Sequence, residues 1–262
     1  MTLLKHEIKM NLKTLLIWTL SIGMLCAGCI LLFKSLEESM RGMADAYSEM
    51  GAFSTALGMD KLSVSTLNGF YATEVALMFA VGGAMFAAMT GAGMISKEEE
   101  GHTSEFLVTL PFGRGYIVTW KYLAMAFLIV LFQLVTVLLI LLGFAGIGEM
   151  PEIKTFAVYH GAQFLMQLEV GSVCFLLSAV SKRRQTGAAL GFAMLLYVAD
   201  LMCRVIPDLE NLKYVTPYYF SNGADIFASG KVEGRMVGIS LAITVFSAVT
   251  AVAAYRRRDL AG

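Results

Sequence analysis

Two groups of residues in this sequence could do chemistry. The first is an acidic run, Glu98-Glu99-Glu100, followed by Gly101, His102, Thr103, Ser104 and Glu105. The second is Glu169, a lone carboxylate in an apolar stretch that also carries His160, Gln163 and Gln167. An ionisable group in such a stretch is costly in lipid and marks a transport path or a relay by default. Helical spacing puts His160, Gln163 and Gln167 roughly on one side and Glu169 on another. Two readings stand for these four: the lining of a substrate path, or hydrogen bonds between helices of one bundle. Enzymatic patterns are missing. No G-x-x-x-x-G-K-[ST] occurs, so the chain is expected to hold no ATP of its own. No H-E-x-x-H occurs, and His6, His102 and His160 are too dispersed for a zinc site, so no metal is expected. Cys26, Cys29, Cys174 and Cys203 all lie in or beside apolar runs and read as small hydrophobes. The C-x-x-C of Cys26 and Cys29 lacks a second ligand pair. The 17 methionines read as bundle filling rather than copper ligands.

The elements that must position these residues follow from composition. The chain is 57% hydrophobic and 15% charged, against roughly 45–50% and 25% in a soluble domain. Net charge is zero, which gives no ground for nucleic acid as a partner. A hydrocarbon core of ~30 Å needs ~20 apolar residues in a helix that satisfies its own backbone. Six stretches qualify, at about 15–33, 72–95, 122–147, 156–180, 186–206 and 236–255. The spacing therefore predicts an all-α, polytopic membrane protein in which residues 1–262 form one transmembrane domain. Lys5, Lys9 and Lys13, then an apolar run, then Cys26-Ala27-Gly28-Cys29 look a little like a lipoprotein signal; the length of the apolar run and the five later spans favour an uncleaved first helix.

Orientation is read from Lys and Arg. Lys97, Arg114, Lys121, Lys182, Arg183, Arg184, Arg256, Arg257 and Arg258 crowd into short segments on the side of the N-terminal lysines. The basic residues of the other side, such as Lys34, Lys61, Arg204 and Lys231, are spread among acids in longer segments. Both termini are thus expected in the cytoplasm, in a cell-membrane protein. Leu4, Ile8 and Leu12 recur beside Lys5, Lys9 and Lys13, which predicts an amphipathic helix lying in the interface before the first span. Asp200 and Arg204, four apart, are expected to pair near the outer surface. Gly187 and Gly191 make a G-x-x-x-G in the fifth span, and Ala80, Ala84, Ala88 and Ala92 run along the second. Such stripes allow close packing within one subunit or, along the fifth span, a dimer seam.

The segment from Ile95 to Arg114 is the most informative. The second span ends in acids and Gly101 breaks the helix. Thr103 or Ser104 can cap a short helix with Glu105 in its first turn. Phe106, Leu107 and Leu110 give it an apolar face, and Pro111 and Gly113 stop it. Arg114 and Lys121 are then expected at the cytoplasmic headgroups. A short capped helix held between two spans suits docking to a soluble partner; the alternative is a solvated loop. The adjacent glutamates resemble those of CAAX-class intramembrane proteases, but the arginine three residues on is missing.

Glu98, Glu100, Gly101, Thr103, Glu105, Leu107, Leu110, Pro111, Arg114 and Lys121 resemble the signature of ATP-binding-cassette (ABC) permeases of the type-two exporter class. The opening Lys5-His6-Glu7-Ile8-Lys9 through Trp18 resembles that family's elbow, and Tyr255-Arg256-Arg257-Arg258-Asp259 resembles its ending. The resemblance implies that Glu98–Pro111 is a coupling element seated in a separate ATPase subunit, which would bind ATP and Mg. It implies two permease subunits, identical or related, around one path, and it carries no cargo across; an amphipathic peptide, an antibiotic or a lipid would each suit. Two other classes remain open: an ion- or proton-coupled carrier using Glu169, and a membrane anchor or sensor that moves nothing.

Overall fold

The computed structural model describes residues 2–101 and 112–257. The segment from His102 to Pro111, where the short docking helix is expected, lies outside them, as does Arg258. Among the described residues there is no strand, and six helices are long and apolar enough to cross a membrane. They are α1 (Thr2–Ser48), α4 (Ala76–Gly93), α6 (Arg114–Ile147), α7 (Ile153–Val180), α8 (Thr186–Val205) and α10 (Gly234–Arg257). Short helices fill the connections: α2 (Ala52–Leu57), α3 (Leu67–Phe70), α5 (Ser96–Glu100) and α9 (Gly223–Ser229). A wide turn at Tyr71–Val75 joins α3 to α4, and a tight 3₁₀ turn occupies Pro207–Tyr214. All six expected spans are present, and several run past their expected ends.

The first helix differs most from expectation. It is one element of 47 residues, with no break between the basic opening and the span. The reason lies in its buried face. Glu7, Leu15, Thr19, Cys26, Ile30 and Phe33 are all buried, and they recur at helical spacing. The inward stripe therefore begins at Glu7, well before the apolar run, and α6 packs along it. Leu12 is 44% exposed, while Leu4 of the same stripe is partly buried against the core. Helix α6 is likewise longer than its span. At 34 residues it covers roughly 50 Å at 1.5 Å per residue, so its first turns stand clear of a ~30 Å core. Gly148, at φ 72°, ends it with the left-handed cap that a residue with a Cβ takes poorly.

Helix α4 is the centre of the bundle and packs on α1, α6, α7 and α8. Its small residues make this possible. Ala84, Ala88 and Ala92 are fully buried, and a Cβ added at Gly91 would sit 2.3 Å from the Gly171 carbonyl oxygen of α7. This stripe serves packing within one subunit. The glycines of α8 behave differently: Gly187 and Gly191 are exposed, with nothing within 4 Å of where a Cβ would stand.

Candidate functional site

At the end of the bundle that carries the N-terminus, four charged side chains from three elements meet. Glu7 of α1 is fully buried. Its Oε2 accepts from Lys97 Nζ at 2.5 Å and its Oε1 from Lys121 Nζ at 2.5 Å. Lys121, on the second turn of α6, also donates to Glu98 Oε1 and, at 3.1 Å, to the carbonyl of Met94. That carbonyl lies at the end of α4, where helix carbonyls lack an internal partner and the dipole is negative. Two carboxylates and two ammonium groups close on one another with no net charge. Burial pushes the Glu98 carboxyl above its ordinary value, and Lys121 pulls against that rise.

The neighbours fix the same corner. Ser178 Oγ of α7 accepts from the backbone N–H of Ile95 and of Ser96, each at 3.0 Å. Glu100 Oε2 accepts from the Arg184 backbone N–H at 3.3 Å. Phe112 stacks on Tyr116 at 5.1 Å, and Tyr116 meets Trp120 edge-on at 5.9 Å, up the start of α6. Phe112 and Tyr116 are 42% and 43% exposed, so this ladder faces outward. Glu98 and Lys121 stand on either side of the 102–111 segment in sequence and touch in space. They strap its two ends together and tie both to α1 through Glu7.

Of the motif residues expected to act, Glu98, Glu100 and Gly101 are placed at this corner, and Arg114 opens α6. Thr103, Glu105, Phe106, Leu107, Leu110 and Pro111 lie outside the described residues. Lys121 does not reach headgroups as expected; it is 1% exposed, because Glu7, Glu98 and Met94 supply better partners than water. Glu7 was missed in the sequence. Its signal was its register, one turn ahead of Asn11 and two ahead of Leu15 on the buried stripe.

The four polar residues of α7 part company. His160 is boxed by aromatic rings, with Phe156 and Phe79 at 4.3 and 4.9 Å between centroids. Its Nε2 is 2.9 Å from the Tyr71 hydroxyl, and Gln133 Nε2 donates to its carbonyl at 2.9 Å. Both contacts join α7 to neighbouring elements of the bundle. Gln167 is fully buried, its amide pressed against Gly83. Gln163 donates to the Ser221 carbonyl at 2.7 Å and borders a cleft at the far end of the bundle. Glu169 borders a separate small cleft with Lys213, Tyr214 and Ser240.

The expected Asp200–Arg204 pair is present, with Nε to Oδ1 at 3.0 Å. It belongs to a larger network than spacing suggests. Arg204 Nη1 also meets Asp225 Oδ2 at 2.7 Å, and Lys61 meets Asp225 Oδ1 at 2.5 Å. Arg204 lies over the Tyr219 ring at 4.7 Å and donates to the Tyr219 carbonyl at 3.2 Å. Burial alone would raise the Asp225 carboxyl; Arg204 and Lys61 outweigh it and hold the group below its ordinary value. Its charge is therefore kept at neutral pH and lost only on acidification below the usual Asp range.

With this geometry in view, comparison with known proteins finds one family. A family model described as ABC-2 family transporter protein matches residues 1–260. No curated protein sequence matches the chain.

Proposed function

The chain belongs to the ABC-2 family of transporter proteins, a membrane permease subunit of an ABC transporter, and we propose that it works as an ATP-driven exporter. On this reading the Glu7 end faces the cytoplasm, because Lys97, Arg114, Lys121, Arg184 and Arg256 gather there. The observation that carries the reading is the buried cluster of Glu7, Lys97, Lys121 and Glu98 at the base of the 102–111 segment. A push on that segment by a nucleotide-driven partner moves α1, α4 and α6 together, since all three are fastened to one point. A separate ATPase subunit supplies ATP and Mg.

The test is coexpression with the candidate ATPase and reconstitution of the purified pair. Glu105→Ala combined with Leu107→Ala should leave the permease folded while ATPase capture falls by at least tenfold. Undiminished capture and undiminished cargo-stimulated hydrolysis would remove this segment from the coupling role.

Two permease copies complete the path. The bare glycines of α8 support a seam there, because Gly187 and Gly191 pack against nothing in their own subunit and admit a close helix. In a chain whose native cysteines are replaced, Gly191→Cys should yield a disulfide-linked dimer on mild oxidation. A monomer under oxidation, beside a control site on α10 that does cross-link, would move the seam elsewhere.

A further inference from the structure

At the end opposite Glu7, a small cleft of about 30 Å³, room for the head of a ligand whose tail stays outside, opens to the exterior between α4, α7, α8 and the Tyr218–Gly223 stretch. Two polar atoms of its lining lack a partner. Gln163 is 1% exposed, and its Nε2 is committed to the Ser221 carbonyl, which leaves Oε1 as a buried acceptor without a partner. The Tyr218 hydroxyl is also buried and unpartnered, in a side chain 3% exposed. Asp200 borders the same cleft, 2% exposed, with one oxygen held by Arg204. The rings of Tyr197 and Tyr218, 5.6 Å apart, form an aromatic wall. No Lys, Arg or His is among the described residues that line it.

A buried acceptor with no donor is costly, so such a site is completed by a ligand or water that brings donors. A carboxylate, an amide oxygen, a phenol oxygen and two aromatic faces reject an anion and favour a cation. An ammonium group carries three N–H donors, one for each of Gln163, Asp200 and Tyr218. The geometry points to this cleft as a binding site for a primary ammonium group, carried by a free amine or by the headgroup of an aminolipid. The assignment gives the permease reading a chemical class of ligand and rests on that reading for its meaning as transport. The site also touches the network that closes this end. An ammonium ion that bonds Asp200 shares that carboxylate with Arg204, the residue that ties α8 to Asp225 of α9.

The experiment needs no ATPase, so its failure and that of the coupling assignment are separable. The full chain is placed in phosphatidylcholine nanodiscs, and its melting temperature is followed against n-butylammonium, n-butanol and butyrate. Only butylammonium should raise it. Tyr218→Phe, which removes a hydroxyl that bonds nothing, should keep the unliganded melting temperature and weaken butylammonium about tenfold, as expected for one hydrogen bond to a charged group. Gln163→Leu should weaken it similarly. In a second arm, phosphatidylethanolamine in the disc should compete with butylammonium if the headgroup is the source and leave it unchanged if a free amine is. Equal shifts from butylammonium and butanol, or an unchanged response in both variants, would overturn the assignment.

Discussion

Replacing Lys121 with methionine is expected to lower the melting temperature of the purified permease by roughly 10 °C. Lys121 is 1% exposed and touches Glu7, Glu98 and the Met94 carbonyl. Without it Glu7 keeps Lys97, but Glu98 loses the Lys121 ammonium and the end of α4 loses its donor. Removing one partner of a buried ion cluster costs about 3–5 kcal/mol. At about 2–4 °C per kcal/mol for a chain of this size class, the shift is large. Lys121→Met with Glu98→Gln removes one charge of each sign and keeps the Glu7–Lys97 pair. That double variant should regain at least half of the loss, and the cycle gives the coupling between the two residues. It also separates stability from function. The double variant should fold, bind its ATPase and hydrolyse ATP, yet move less cargo per ATP, because the strap across the 102–111 segment is gone. A Lys121→Met protein as stable as the wild type would remove the cluster from both roles.

The second large effect is expected at Arg204. Arg204→Met leaves Asp200, 2% exposed, without the cation that bonds it, while Asp225 keeps Lys61 at 2.5 Å. The cost should again be about 3–5 kcal/mol. Arg204→Met with Asp200→Asn should recover most of it, because the remaining Lys61–Asp225 pair is balanced. Hydrogen exchange gives the check. The single variant should lose protection at the end of α8 and in α9, with α4 and α7 unchanged. Uniform loss across all helices would show that the network supports the whole bundle rather than closing one end of it.

Hydropathy made the six spans legible because lipid selects for unbroken apolar length, and the match of spans to helices follows from that one constraint. It did not reveal that α1 is continuous from Thr2 or that α6 begins at Arg114. Those turns lie beyond the hydrocarbon, where helix is held by packing and ion pairs that composition does not register. The acids and the glycine around Glu98 stood out as a local pattern, while the expected cap at Thr103 or Ser104 lies outside the described residues. Glu7 was not, since a glutamate in a basic opening reads as solvated until Lys97 and Lys121 are folded onto it. The same holds at the far end. Spacing shows Asp200 with Arg204, four residues apart, but Lys61 reaches Asp225 across 164 positions. The glycines of α8 and the alanines of α4 look alike in sequence. They differ in structure because α4 is surrounded and α8 lies at the edge.

The Glu7–Lys121 bond spans 114 positions, and that separation bears on how the protein is made. At about 5–20 residues per second, the ribosome needs roughly 6–20 s after Glu7 before Lys121 exists. During that interval the first span has entered the membrane with a carboxylate on its inward stripe and no cation to meet it. Lys97 arrives earlier and can hold Glu7 alone. A nascent chain arrested between the second and third spans is thus already tethered at its first residues, and arrival of the third span closes the corner rather than starting it.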